Sequence, residues 1–303
     1  MKDFLSIRDH SSEELRQIIT LGLEMKANPK KFSKALEGKA LAMLFEKPSL
    51  RTRVTFDVGI QQLGGYSLYL SPSEVSLGKR ESIADVAHNL ERMVQGIMIR
   101  TFGHTIVEQM AEHSKVPIIN GLTDFSHPCQ SMADFMTIQE VKGKVEGVKV
   151  AFIGDGNNVA NSLMFTAARL GAHISVATPK GYEPKADVMA WMGKHAPATG
   201  CKCVVTNDPF EAVKDADVIY TDVWASMGQE AEAEARKKIF LPFQVNEKLV
   251  AAARTDYTFM HCLPAHRGEE VSAGVIDSPH AVVFQEAENR LHVQKAIMYL
   301  LMK

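Results

Sequence analysis

The sequence predicts an α/β protein of two doubly wound domains, each with a mostly parallel sheet flanked by helices. Three observations predict it. Short apolar runs of strand length alternate with stretches of helical periodicity along the whole chain. The alternation pauses at the polar turn Gly143-Lys144-Val145-Glu146-Gly147 and then restarts. Finally, 303 residues suffice for two domains of ordinary size. The boundary therefore falls at that turn, giving residues 1–142 and 143–286, with a last helix over 287–303 packing back on the first domain.

In order, Ser11-Ser12-Glu13-Glu14 reads as a capping box before a helix with Leu15, Ile18, Ile19 and Leu23 on one face. Ala40 to Phe45 is a strand, and Ser49 then opens a helix through Val54, Val58 and Leu63 that stops at Gly64-Gly65. Tyr66 to Leu70 is a strand; Ile83, Val86, Ala87, Leu90 and Met93 form a helical stripe; Gly96 to Thr101 and Val116 to Asn120 are further strands. A helix from about Gln130 to Lys142 leads to the turn. The second half brings strands at Val148 to Ile153, His173 to Thr178, Cys203 to Thr206, Val218 to Asp222 and Thr258 to Met260, with a helix from about Asn158 to Leu170. Cys201 and Cys203 are placed in one strand around Lys202, and Leu291 to Leu301 is helical after a polar start at Glu286-Ala287-Glu288-Asn289-Arg290.

Composition excludes several classes. Content of 46% hydrophobic and 23% charged residues is that of a globular protein with a full core. The 34 Lys and Arg against 36 Asp and Glu leave no broad field for nucleic acid or an anionic membrane, so an anionic ligand must be held by local charges. No stretch is long and apolar enough to span a bilayer, and Met1 to Leu5 starts no apolar leader, which predicts a cytoplasmic protein. Four cysteines are too few for a disulfide scaffold and lack zinc spacing, so buried or half-buried thiols are expected and no metal.

The chemistry-bearing motifs follow strands, where ligands of open α/β sheets bind. Glu46-Lys47-Pro48-Ser49-Leu50-Arg51-Thr52-Arg53 joins a strand to a helix N-terminus, so hydroxyls and guanidiniums meet unpaired backbone N–H groups and make an anion site; alternatively Ser49 is a simple N-cap beside two solvated arginines. Arg100 ends its own strand at the same rim, and Asn120 to Gln130 is a polar loop in which His127 either donates to a carbonyl or caps the next helix, while Gln130 offers an amide. One sheet edge thereby gathers Ser49, Arg51, Thr52, Arg100, His127 and Gln130. In the second half, Gly154-Asp155-Gly156-Asn157-Asn158-Val159 lacks the third glycine of a dinucleotide fingerprint and the acidic residue ending the next strand, so no nicotinamide cofactor is expected. Asn157 or Asn158 is an N-cap or a ligand for an α-amino acid. Asp222 suits a cationic amine, and Cys262 sits at a strand end; taken singly, a loop aspartate and a buried cysteine are more often structural than functional.

Together these motifs resemble the aspartate/ornithine carbamoyltransferase family over nearly the whole chain. The family's Ser-Thr-Arg-Thr-Arg phosphate loop is matched by Ser49 to Arg53 and its His-Pro-x-Gln loop by His127 to Gln130. The ornithine branch's Asp-x-x-x-Ser-Met-Gly element corresponds to Asp222 to Gly228, and its His-Cys-Leu-Pro element to His261 to Pro264. The resemblance implies transfer of the carbamoyl group of carbamoyl phosphate to the side-chain amine of L-ornithine, giving citrulline and phosphate in arginine biosynthesis, at an active site in the cleft between the domains and without a cofactor. It implies that carbamoyl phosphate is bound by Ser49, Leu50, Arg51, Thr52, Ser76, Arg100, His127, Gln130, Cys262, the carbonyl of Leu263, and Arg290. Ornithine would be bound by Asn158, Asp222, Ser226 and Met227, with Arg51, His127 and Cys262 closest to the reaction. It further implies a homotrimer, or a multiple of trimers, in which Ser73 to Lys79 reaches a neighbouring site.

Two positions depart from the family pattern. Ser76 stands where many relatives have Gln or His, and Leu50 stands where Thr is usual. A Leu at that place is typical of relatives acting on N-acylated ornithine, which leaves such a substrate, or another amine, as the alternative; those relatives lack the Ser-Met-Gly element kept here at Ser226-Met227-Gly228.

Overall fold

The computed structural model describes residues 1–75, 77–78, 80–225 and 232–303. The chain forms two compact units, Met1–Met136 with Glu288–Lys303, and Thr137–Ala287. Among the described residues no helix is long and apolar enough to cross a membrane.

The first unit contains α1 (Ser12–Ala27), β1 (Ala40–Phe45), α2 (Leu50–Gln62), β2 (Tyr66–Leu70), α3 (Pro72–Val75), α4 (Ile83–Leu90), β3 (Gly96–Arg100), α5 (His104–His113), β4 (Ile118–Leu122) and the start of α6 (Pro128–Lys142). Its four strands are parallel in the order β2-β1-β3-β4. The inner strands β1 and β3 are buried at every residue, which is why they read as unbroken apolar runs. The edge strand β2 is partly exposed throughout. Because β1 leads to β2 on one side while β3 lies on the other, the strand order reverses between β1 and β3, and a crevice opens beyond their carboxyl ends. The capping box of α1 is present, with the Ser11 side chain accepting from Glu14 N–H and the Glu14 carboxylate accepting from Ser11 N–H.

The second unit contains β5 (Lys149–Ile153), α7 (Asn158–Leu170), β6 (His173–Ala177), α8 (Ala186–His195), β7 (Cys203–Thr206), α9 (Pro209–Val213), β8 (Val218–Thr221), α10 (Ala233–Phe240), α11 (Glu247–Val250), β9 (Thr258–His261), α12 (Ala273–Ile276) and the start of α13 (Val283–Met302). Its five parallel strands run β7-β6-β5-β8-β9, so the reversal lies between β5 and β8. One face of this sheet packs Ala151, Ile153, Ile219 and Phe259 against Val245, Val271 and Val275. Fully burying a valine, isoleucine or phenylalanine side chain contributes roughly 1.5–3 kcal/mol, which fixes the strands whose ends carry the polar groups.

Several element limits differ from the sequence expectation for local reasons. The fourth strand starts at Ile118 rather than Val116, because Val116 N–H is taken by Ser114 Oγ and Pro117 has no N–H to give the ladder. The helix after Ile83 ends at Leu90, which leaves Met93 63% exposed and off the stripe. Cys201 and Lys202 precede β7: Gly200 is left-handed and Cys201 N–H bonds back to Ala196 O, closing a turn. The last helix begins at Val283, before the polar stretch, because that stretch finds buried partners. Glu286 accepts from Tyr220 Oη and His261 N–H, and Arg290 donates to Thr52. All four thiols are buried or half-buried, as expected.

Candidate active site

In the first unit, Ser49 caps α2 with its Oγ accepting from Thr52 N–H at 3.2 Å, which leaves other first-turn N–H groups and the positive end of the helix dipole toward the crevice. Such a cap contributes about 1 kcal/mol, so the capping and anion-binding readings of this stretch are both served by one geometry. The phosphate-loop backbone is tied down on both sides. Glu46 N–H bonds to Arg100 O at 2.8 Å, and Thr101 Oγ1 donates to the Glu46 carboxylate. The buried Lys47 ammonium pairs with Asp124 and lies 4.2 Å from the Phe102 ring centre.

Thr52 is the meeting point. Its fully buried Oγ1 accepts from Arg290 Nη2 at 2.7 Å and, more weakly, from Arg100 Nη1 at 3.4 Å. A hydroxyl has two acceptor positions and one hydrogen, so a Thr52 engaged by two guanidiniums serves a further ligand only as a donor. His127, buried beside them, is pushed well below its ordinary pKa of 6.5 first by burial and then by Arg290, Arg100 and Arg51. The imidazole is therefore neutral at neutral pH and donates without adding a fourth positive charge. Gln130, on the first turn of α6, is buried and its amide donates to Asp134 Oδ1 at 2.8 Å. Burial raises the Cys129 thiol to about 12, so it stays protonated. Leu50 is 75% exposed, and Arg53 turns away to lie 3.9 Å from the Tyr69 ring centre.

In the second unit, the strand ends of β5 and β8 bring Asn157, Asn158 and Asp222 to one rim, with Cys262 following β9. Asn157, not Asn158, is the N-cap of α7: its Oδ1 accepts from Val159 and Ala160 N–H. Its Nδ2 donates to Asp222 Oδ2 at 2.9 Å, while Asp222 Oδ1 accepts from Val223 N–H at 2.8 Å and from Cys262 Sγ at 3.1 Å. The buried aspartate is thus a fixed anionic acceptor with a thiol at its side, the arrangement a cationic or polar amine requires. Backbone packing forbids a larger residue in the turn before it, since a Cβ on Gly156 would lie 2.4 Å from Pro184 N and 2.7 Å from Tyr182 O.

His261 and Glu270 are residues that sequence reading did not assign to the site. His261 Nδ1 accepts from Leu263 N–H at 2.9 Å, so Nε2 carries the proton and donates to Glu270 Oε1 at 3.2 Å. Both are fully buried, and they hold the bend where Leu263, at φ 57°, precedes a cis peptide to Pro264. Donor-type atoms of Asp222, His261 and Cys262 lie within 4.8 Å of one another, but both imidazole nitrogens are already engaged, so this trio offers a metal no histidine lone pair as it stands. Ser76, Ser226 and Met227 lie outside the described residues.

Of the expected residues, the structure brings Arg51, Thr52, Arg100, His127 and Arg290 together in one unit, and Asp222, Cys262 and the Asn157-Asn158 turn together in the other. Comparison with known proteins divides the chain near the same place but counts the last helix with the second domain. Residues 2–140 match the family model described as the aspartate/ornithine carbamoyltransferase carbamoyl-P binding domain, and residues 146–301 match its Asp/Orn binding domain. The chain is 57% identical to an ornithine carbamoyltransferase of Thermococcus kodakarensis over 303 residues, covering 99% of this chain and 96% of that protein. A solved ornithine carbamoyltransferase from Pyrococcus furiosus superposes with a TM-score of 0.97 at 55% identity, covering 99% of this chain and 97% of that one. An anabolic ornithine carbamoyltransferase from Campylobacter jejuni superposes with a TM-score of 0.94 at 43% identity, covering 99% of each. With matches of this length in both halves, the chain belongs to the aspartate/ornithine carbamoyltransferase family.

Proposed function

We propose that this protein transfers the carbamoyl group of carbamoyl phosphate to the side-chain amine of L-ornithine, releasing citrulline and phosphate. The observation that carries the reading is the cluster of three arginines around a neutral, buried histidine, with Thr52 held between two of the guanidiniums. Carbamoyl phosphate binds the first unit. Arg51, Arg100, Arg290 and the α2 N-terminus at Ser49 and Leu50 neutralise the phosphate as it leaves, while Thr52, Arg51 and His127 donate to the carbamoyl oxygen as it gains charge. Gln130, three residues after His127, completes the pocket with its amide.

Ornithine binds the second unit, its α-amino acid end near Asn158 and Met227 and its amines among Asp222, Ser226 and Cys262, the last oriented with Asp222 toward the side-chain amine. An alkyl amine has an ordinary pKa of about 10.4, so the small neutral fraction reacts and the departing phosphate takes the remaining proton. Activity then rises with pH through the neutral range. Cys262 acts as a hydrogen-bond donor rather than a nucleophile, since a thiolate there would face the Asp222 carboxylate at 3.1 Å.

The same reading carries a cytoplasmic enzyme that assembles as a homotrimer or a multiple of trimers. Exposed Val54, Tyr66 and Leu68 on α2 and the edge strand β2 support an association surface there. Light scattering on a sizing column should give a mass three times that of the chain, or a multiple of it. The activity is tested with a colorimetric citrulline assay run in parallel on ornithine, N-acetylornithine, N-succinylornithine, putrescine and aspartate. Turnover of ornithine with stoichiometric phosphate release is expected; preferential turnover of an acylated ornithine would move the substrate assignment, and no ureido product from any amine would end it.

A further inference from the structure

Arg236 lies in the charged sequence Glu234-Ala235-Arg236-Lys237-Lys238, which reads as a solvated helix face, yet the side chain is only 5% exposed. A guanidinium buried to this degree is costly unless its donors are met. Here Nη2 donates to Asp155 Oδ2, Nε donates to the Trp224 carbonyl, and the Glu232 carboxylate lies 3.8 Å from Nη1. The guanidinium carbon is also 4.9 Å from the Tyr182 ring centre and 5.1 Å from that of Phe240.

One side chain thus joins three stretches of the second unit: the turn after β5, the chain leaving β8, and α10. The first two carry the groups assigned to ornithine. Asp155 is two residues before Asn157, whose amide bonds Asp222, and Trp224 is two residues after Asp222. Charge adds a second link. Burial pushes the Asp155 carboxyl up, Arg236 pulls it down, and the nearby Asp222 carboxylate pushes it up again. Without Arg236, a buried carboxylate would stand beside Asp222 with no cation to compensate it.

We propose that Arg236 is a positioning residue for the amine substrate: by clamping Asp155 and Trp224 it fixes the turn and the strand exit that present Asn157 and Asp222, and it offsets the charge of Asp155 next to Asp222. The proposal rests on the reading of the second unit as the ornithine site. It makes Arg236 a determinant of ornithine affinity although its donors are spent on protein groups rather than on substrate.

The test is steady-state kinetics of Arg236→Met, Arg236→Lys and the double variant Arg236→Met/Asp155→Asn, with each substrate varied in turn and the thermal midpoint measured alongside. Loss of charge-assisted hydrogen bonds should raise KM for ornithine by about 10- to 100-fold in Arg236→Met while KM for carbamoyl phosphate stays within about twofold. Arg236→Lys, which keeps the charge but not the fork, should fall between, and the double variant should recover part of the loss by removing the uncompensated carboxylate. An ornithine KM within about twofold of wild type, or a parallel loss in both KM values that follows the thermal midpoint, would overturn the proposal. If Arg236→Met does not fold, Arg236→Lys decides: a selective rise in ornithine KM supports the proposal, and no change in either KM refutes it. Failure of the parent reading has a different signature, because the wild-type protein itself would then form no citrulline.

Discussion

Replacing Thr52 by Val tests the phosphate pocket at the atom where its charges meet. The change conserves shape and removes only the hydroxyl, whose oxygen accepts from Arg290 at 2.7 Å and from Arg100 at 3.4 Å. The longer contact is near the limit of a hydrogen bond, so the Arg290 bond dominates the structural cost, about 1.5–3 kcal/mol for a buried charged donor left unmet. The catalytic cost is separate. With both acceptor positions occupied, the hydroxyl hydrogen is the group offered to the carbamoyl oxygen, and loss of one such donor costs about 3 kcal/mol, on the order of 100-fold in turnover. Initial citrulline rates at saturating ornithine, with carbamoyl phosphate varied, should therefore show kcat down by that order in Thr52→Val and largely retained in Thr52→Ser. A Thr52→Val enzyme within about threefold of wild type would refute the reasoning that this hydroxyl is a polarised donor at the reacting carbon.

Asp222→Asn removes the charge and turns one of the two accepting oxygens into an NH2, so it keeps the contact to Asn157 or to Val223 but not both; ornithine KM should rise at least about tenfold with carbamoyl phosphate affinity unchanged, as steady-state kinetics would show. Gly156→Ala places a Cβ 2.4 Å from Pro184 N and 2.6 Å from the Glu183 carbonyl carbon, backbone atoms that yield only if the turn moves, so a lower thermal midpoint and weaker ornithine binding by calorimetry are expected together. His104 is lowered from 6.5 to about 4, by burial first and then by Arg8. His127 is lowered in the same direction. Between the folded and unfolded values the unfolded chain binds more protons, so stability is complete above about pH 6.5 and declines as pH falls toward 4. Urea midpoints across that window should decline less steeply in His104→Gln; an unchanged slope would remove His104 from the account.

Much of the architecture was legible because parallel strands buried on both faces leave continuous apolar runs. Ala40 to Phe45 was read in this way with the limits the structure shows, and Tyr66 to Leu70 was also read with its observed limits although that edge strand is partly exposed. Where limits moved, a side chain or a proline redirected a backbone hydrogen bond, as at Ser114 and Pro117, which apolar patterning does not register. In the site, Ser49, Arg51, Thr52, Arg100 and His127 were legible because each ends or follows a strand, and the reversal of strand order between β1 and β3 gathers such ends. Arg290 carried no local signal: it reads as part of a polar helix start, and only tertiary packing brings it to Thr52. Arg236 and Glu270 were missed for the same reason, since each sits among charged neighbours and burial of one charge in such a run leaves no periodic mark. Between Asn157 and Asn158, sequence could not choose the cap; the backbone at Asn157, extended at φ −88° and ψ −170°, decides it.

Calorimetric titration of carbamoyl phosphate into the purified protein, with ornithine left out, measures the arginine pocket without the rest of the reaction. Saturable binding by the wild type, weakened at least about tenfold in Arg290→Met, is the result that three guanidiniums gathered on Thr52 and His127 require. Equal affinity in the two proteins would contradict it.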